Sequence, residues 1–335
     1  MDTPSFRDLL RTLGQARPPQ MCYDGDDTPE SFRAWQRAFG AKLRELRGQP
    51  LPRPQPPEVE LLERVELADH VREHVTITSV LDTKVPAYIL VPKGIRLPRP
   101  VVMALHGHRH GGKERLAAAS GDPGDEAYAL AAVRAGFVTL TLDWWGWGER
   151  VERGFDFGGR DMCNVKFMAA SMYGVWLLSV MLSDATAALD ALVGRDDVDA
   201  ERVGVMGNSF GGRMSMYLAA FDQRITAAVC SGCLNCFRER SLKLTSCGAQ
   251  FFPGMLQYGD VQEVFALIAP RPLMIMTGQK DPLIPHDYAE KMRAVIQRAY
   301  RILGAEDRLC FHDHTGGHEL LAEPAVKWLA RQLEA

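Results

Sequence analysis

The residues best placed to do chemistry stand in one short run, Gly207-Asn208-Ser209-Phe210-Gly211. Its spacing is G-x-S-x-G, a serine with a glycine two residues to either side. The spacing has a steric reason. A serine held at the apex of a tight strand-to-helix turn sits in a strained backbone conformation, and bulky side chains two residues away would collide with the turn. The apolar segment 202–207 precedes the run and a helix-forming segment follows it, which is the setting the motif requires. A helix that opens after Ser209 aims its unpaired amides and positive dipole end at negative charge developing on an oxygen. The chemistry expected is nucleophilic attack by Ser209 on an acyl carbon.

A serine hydroxyl needs a base, and that base needs an orienting partner. On a strand-turn-helix nucleophile the chain order is serine, then acid, then histidine. After Ser209 the chain offers Asp281 in TGQKDPLIP and His318 in HTGGHEL. Asp281 leaves the end of an apolar strand, and His318 lies in a glycine-rich loop. His286, His312 and His314 compete as bases, and Asp287 and Asp313 compete as acids. An oxyanion also needs a second backbone N–H, from a loop after an early core strand. LHGHRHGGKE (105–114) fits, so the expected donors are the N–H groups of Phe210 and His108, with Arg109 as the neighbouring alternative.

Two other patterns resemble metal sites. His106, His108 and His110 alternate after a strand, as in H-x-H-x-D-H, but the acid of that pattern is missing and His110 is followed by Gly111. Cys230-x-x-Cys233-x-x-Cys236, with Cys247 further on, has thiolate spacing, yet no second C-x-x-C pair accompanies it. The expectation is therefore no metal and no cofactor, with these cysteines packing as small apolar side chains. Trp144, Trp145 and Trp147 in DWWGWGER have two uses: a pocket wall near Ser209, or aromatic anchors of the loop.

The elements that must position these residues follow from the pattern. Short apolar runs at 101–107, 137–143, 202–207, 225–231, 272–278 and 308–314 read as buried parallel strands. They alternate with helical stretches near 123–135, 165–194, 210–221, 285–302 and 319–333, and more β-rich segments lie between 59 and 92. This is an α/β class chain with a mostly parallel sheet, and ligands bind beyond the carboxyl ends of its strands. Residues 1–57 read as an N-terminal helical appendage closed by a connector with five prolines in nine residues (49–57), leaving 58–335 as the catalytic domain. The long insertion 233–267 reads as part of a lid or as a plain helix with its loops. The 335 residues are 46% hydrophobic and 24% charged with net charge −3, which disfavours a nucleic-acid binder. The start MDTPSFRDLLRTLG has no signal-peptide character, and the run 167–182 is too short and too interrupted for a membrane span. With seven cysteines and no leader, a cytoplasmic location is expected. The partner expected is a small-molecule ester, with no nucleic acid and no membrane. The N-terminal helices have two open uses, capping the pocket or pairing copies in a homo-oligomer.

Taken together, HGHRHGGKE, DWWGWGER, RDMCN, GNSFGG, APRPLMIMTGQKDPLIP and GGHEL resemble the acetyl-xylan-esterase-like and dienelactone-hydrolase-like branch of the α/β-hydrolases, over about residues 80–333. The resemblance implies the α/β-hydrolase fold and carries triad roles onto Ser209, Asp281 and His318. It implies a serine-dependent carboxylic-ester hydrolase working through an acyl-enzyme on acetylated or other small acyl esters, sugar esters included. Serine stands where dienelactone hydrolases proper have cysteine, which weakens the case for that substrate, and the triple tryptophan around Gly146 is a further departure. Two alternatives stay open: a peptidase or amidase on the same triad, and a non-catalytic binding module on a relict fold.

Overall fold

Nine strands form one sheet in the computed structural model, which describes residues 5–121, 126–152, 160–242, 247–284 and 286–333. In chain order they are β1 (Val59–Glu66), β2 (His70–Thr78), β3 (Lys84–Pro92), β4 (Arg99–Leu105), β5 (Val138–Leu142), β6 (Val198–Asn208), β7 (Ile225–Ser231), β8 (Leu273–Gly278) and β9 (Leu309–His314). The spatial order is β1-β2-β3-β5-β4-β6-β7-β8-β9. The first three strands run antiparallel and β3 meets β5 antiparallel, while every pairing from β5 through β4 to β9 is parallel. The strands therefore deliver their carboxyl ends to one side, and the loops after β4, β6, β8 and β9 meet there.

The central strands bury both faces, as continuous apolar runs require. Val101, Met103 and Leu105 of β4 join one core, and Val102 and Ala104 join the other. The first core is covered by α6 (Leu177–Val193), α7 (Phe210–Phe221) and α10 (His286–Ile302), and the second by α4 (Tyr128–Arg134) and α11 (Ala322–Leu333). Between these lie α3 (Gly112–Leu116), α5 (Arg160–Ser171), α8 (Phe237–Leu242) and α9 (Val261–Ala266).

Three departures from the sequence expectations have physical reasons. The stretch 165–194, expected as one helix, is two. Gly174 takes φ +71°, a left-handed conformation that ends α5, and the chain re-enters a helix at Leu177. The helix expected over 123–135 is shorter, starting at Tyr128. The N-terminal segment, α1 (Phe6–Ala16) and α2 (Pro29–Arg47), is built into the same unit. Thr28 caps α2 and Pro29 starts it, and the helix buries Phe32, Phe39 and Leu43 in the first core. Each such side chain contributes roughly 1.5–3 kcal/mol. Gln36 Nε2 donates to the carbonyls of Ala266 and Ala269, at 3.0 and 2.8 Å.

At one sheet edge β1 is exposed almost throughout. Its pairing with β2 skips a residue between Leu61 and Glu63. No helix among the described residues is long and apolar enough to cross a membrane.

Candidate active site

Ser209 stands between β6 and α7 with φ +59° and ψ −116°, a conformation that is strained for any L-residue. The strain is held from both sides. Ser209 N–H donates to Ser231 O at 2.9 Å, and Gly207 and Gly211 let the backbones of β4, β6 and α7 close together. A Cβ on Gly207 would stand 2.7 Å from Leu105 O, and one on Gly211 would stand 2.6 Å from Leu105 C. Both glycines of the motif are thus required by close approach to the strand that leads into the oxyanion loop.

Asp281 follows β8 and His318 follows β9. His318 Nδ1–H donates to Asp281 Oδ2 at 2.6 Å, and Leu283 N–H donates to Asp281 Oδ1 at 2.8 Å. Asp281 is 6% exposed, so this hydrogen bond is shielded from water and charge-assisted. His318 Nε2 is buried without a partner. No hydrogen bond joins it to the Ser209 hydroxyl among the described residues, but both residues line one cavity of about 290 Å³. Bonds of this kind often tighten only around substrate. Asn208 Nδ2–H donates to His318 O at 3.2 Å, and Gly232 at φ +60° leaves room for the ring; a Cβ there would sit 3.0 Å from His318 Cε1. Neither Asn208 nor Gly232 was singled out from sequence. Gly232 directly follows β7, and a glycine at the carboxyl end of a core strand was the available signal.

Two of the competing residues, Asp313 and His314, make other contacts. Asp313 pairs with Arg293, at 2.9 Å to Nη1, and His314 Nδ1 accepts from Gly316 N–H at 3.2 Å. His312 lies within β9, paired in register with Met276. The side chains of His286 and Asp287 lie outside the described residues.

The oxyanion loop separates the two sequence candidates. Arg109 N–H donates to Gly107 O at 2.9 Å, whereas no partner takes the His108 N–H among the described residues. The N–H of Phe210, in the first turn of α7, is likewise free of a protein acceptor among the described residues. The His108 ring stacks on Phe210, with centroids 4.6 Å apart, which packs the two side chains against one another.

A buried ion network fixes this loop. Lys113, fully buried, donates to Asp143 Oδ2 at 2.8 Å and also pairs with Glu149, and Lys113 N–H and Glu149 N–H donate to the same Asp143 carboxylate. Burial alone would lower the Lys113 pKa, but Asp143 and Glu149 outweigh it and hold the ammonium above its ordinary range. HGHRHGGKE and DWWGWGER are therefore two halves of one charge cluster. His106 is buried and neutral in character: Nδ1–H donates to Gly107 O at 2.7 Å and Nε2 accepts from Trp144 N–H at 3.3 Å, while burial pushes its pKa down.

The tryptophans do not form the wall considered for them. None lines the cavity at Ser209. Trp144 is fully buried and packs edge-on against Phe210, Trp147 backs the His108 ring at 5.3 Å, and Trp145 lies under the Arg150 guanidinium at 3.6 Å. The loop turns inward because Asp143 is anchored by Lys113, which draws the indoles into the core behind the oxyanion loop. The cavity wall is instead Arg109, Glu126, Tyr128, Arg240, Gln250 and Leu283. Arg240 and Gln250 come from the 233–267 insertion, which also sends Phe237, Phe252, Met255, Val264 and Phe265 into the first core. A second cavity of about 310 Å³ lies between α1 and α8 and contains no triad residue.

Within the metal-like sequence patterns, Cys230 and Cys233 are within hydrogen-bond reach of each other. His106 accepts from Trp144 N–H, while His108 and His110 both pack on the Trp147 ring. Cys230 and Cys233 are buried, while Cys236 S–H donates to Glu239 at 3.1 Å.

Comparison with known proteins bears on the family and the fold. The model of the Abhydrolase family matches residues 5–335. YtaP of Bacillus subtilis (strain 168) is 27% identical over 292 residues, which is 84% of this chain and 95% of YtaP. A glucuronoyl esterase from Solibacter usitatus superposes with TM-score 0.72 at 19% identity, covering 91% of this chain and 94% of its own. Acetyl xylan esterase 1 from a Thermoanaerobacterium species does so with TM-score 0.60 at 20% identity, covering 99% of each chain. At these identities the solved structures establish a shared fold.

Proposed function

We propose that this chain, which belongs to the Abhydrolase family, is a serine-dependent carboxylic-ester hydrolase acting on small acyl esters of polar alcohols, sugar esters among them. Ser209 Oγ attacks the acyl carbon while His318 Nε2 takes its proton. Asp281 keeps the proton of Nδ1 in place and stabilises the imidazolium that forms. The charge on the former carbonyl oxygen is met by the N–H groups of His108 and Phe210. Collapse expels the alcohol, which leaves with the proton from His318, and water then attacks the acyl-enzyme by the same route in reverse.

The observation that carries this reading is the 2.6 Å bond from His318 to buried Asp281, beside a strained Ser209 on the same cavity. The substrate class rests on the cavity wall, where charged and hydrogen-bonding side chains outnumber the apolar Leu283. The glucuronoyl and acetyl xylan esterases of the same fold act, by their names, on esters of this kind.

The test is fluorophosphonate labelling of the wild type and of Ser209→Ala, alongside hydrolysis of p-nitrophenyl esters of increasing acyl length. The wild type should label at Ser209 and favour acetate over long chains, and the variant should lose both labelling and turnover. Undiminished labelling of Ser209→Ala would overturn the mechanism, and turnover confined to aminoacyl amides would make the chain a peptidase.

A further inference from the structure

Behind the oxyanion loop, three side chains from separate parts of the chain converge without a role in the triad. His108 follows β4, Cys163 lies in α5, and Cys247 precedes the turn at Gly248–Gln250. His108 Nε2 lies 3.3 Å from Cys163 Sγ and 3.6 Å from Cys247 Sγ, and the three donor atoms all fall within 4.8 Å of one another. Both cysteines are fully buried. Among the described residues this is the one group of three histidine, cysteine or carboxylate donors so arranged.

From this geometry we infer that His108, Cys163 and Cys247 form a binding site for a thiophilic divalent cation, zinc. With Zn–S about 2.3 Å and Zn–N about 2.0–2.1 Å, a tetrahedral centre separates a sulfur from a nitrogen ligand by about 3.6 Å. The two observed nitrogen–sulfur separations match that edge closely. Donor chemistry points the same way, since two thiols and an imidazole suit zinc and not a hard cation such as magnesium. The chain would bind by loss of the two thiol protons to solvent, with the imidazole neutral and offering its Nε2 lone pair. Three protein donors leave the fourth position to water, and Gln250 Nε2–H donates to Cys247 Sγ at 3.5 Å as an outer hydrogen bond to the ligand.

The supporting shell is present as well. Asn164 Oδ1 accepts from Gly248 N–H at 3.0 Å, tying the turn after Cys247 to the helix that carries Cys163. Phe210 and Trp147 hold the His108 ring between them. A cation here would staple the oxyanion loop to the segment that supplies Gln250 to the cavity wall. Its place is to hold the His108 backbone in position, and no step of ester hydrolysis runs through it.

The test uses the full chain. It is stripped with a chelator, reconstituted with zinc, freed of excess metal, and its metal content is measured by mass spectrometry. Cobalt in place of zinc gives a thiolate-to-metal absorption band that reports sulfur ligation directly. The wild type should hold about one equivalent, and Cys163→Ser or Cys247→Ser should bind it at least about a hundredfold more weakly, beyond the 10–100-fold lost with outer-sphere partners. Cys310→Ser and Ser209→Ala should retain it, the latter whether or not the chain is an esterase. Should the cysteine variants not fold, zinc must still protect Cys163 and Cys247 of the wild type from alkylation while leaving Cys310 reactive. A wild type that holds no zinc after reconstitution, or full zinc in Cys163→Ser, overturns the inference. So does a Cys163–Cys247 disulfide in the purified protein, which would make the pair a redox element.

Discussion

Gly211→Ala is the substitution that best separates positioning from chemistry, because it adds one methyl and touches no catalytic group. The new Cβ would stand 2.6 Å from Leu105 C and 3.0 Å from His106 C, and would overlap Leu105 O. Ordinary contact begins at 3.4 Å, so β4 and α7 must part by at least about 0.8 Å. These neighbours are backbone and cannot swing aside. Overpacking of this kind costs roughly 1–3 kcal/mol. The functional effect should be larger. His108 lies two residues beyond His106 and Phe210 is adjacent to Gly211, so the shift pulls the two oxyanion donors apart. A misplacement near 1 Å costs about a hundredfold in rate, and loss of one donor about 10²–10³-fold in kcat. The assay is steady-state hydrolysis of p-nitrophenyl acetate together with urea unfolding. The expected result is kcat lower by about a hundredfold or more, KM within a few-fold, and a folded protein less stable by a few kcal/mol. Gly40→Ala in α2 is the control: its Cβ would meet only Arg44, at 3.7 Å, and a helix-interior glycine replaced by alanine should gain about 0.5–1 kcal/mol with activity intact. Wild-type kcat in Gly211→Ala would refute the reasoning, because the approach of strand to elbow would then not set the oxyanion geometry.

Lys113→Met should lower stability by about 3–5 kcal/mol in urea unfolding, since it strands the Asp143 carboxylate in the core. A loss under about 1 kcal/mol, the range of exposed pairs, would mean that Glu149 and the backbone donors suffice without the ammonium. The folded pKa of Lys113 lies above the ordinary 10.5, so its contribution is fully present below that pH and lost as pH rises beyond it. The wild type should therefore weaken at strongly alkaline pH in a way that Lys113→Met does not. Cys22 is exposed, yet partial burial of its sulfur and then the neighbouring Glu263 push its thiol up to about 12. Iodoacetamide at pH 8 should label it more slowly than a simple exposed thiol, and Glu263→Gln should speed the labelling; peptide mass spectrometry reads both, and equal rates in the two proteins would count against the assignment.

What could be read from sequence was what local pattern encodes. The six parallel strands β4 to β9 left short apolar traces, β3 left an alternating one, and the elbow carried its glycines in fixed places because close approach allows nothing else there. Asp281 and His318 were found because each directly follows a core strand, so topology alone sends both toward Ser209. Other features depend on packing between segments far apart in the chain. The break at Gly174 looked like one polar interruption in an apolar run, since a glycine within a helix and one that ends a helix leave the same letter. The tryptophans read equally well as a pocket wall or as anchors of their loop, and the choice depends on Lys113, thirty residues upstream, reaching Asp143. Cys163 gave no spacing signal, and Cys247 drew notice only beside Cys230, Cys233 and Cys236, because the three segments that meet at His108 lie far apart in the chain.

The exposed strand β1 has a consequence for how molecules meet one another at high concentration. A sheet edge is a template onto which another strand can add, and Val59, Leu61 and Leu62 are each more than two-fifths exposed along it. The residue skipped between Leu61 and Glu63 bends that template, and the charged side chains Glu60, Glu63, Arg64 and Glu66 are interleaved with the apolar ones. An incoming copy of the same strand would meet a broken register and would have to accommodate charged side chains. The irregularity in β1 thus disfavours runaway edge-to-edge association of the kind a flat, regular edge invites.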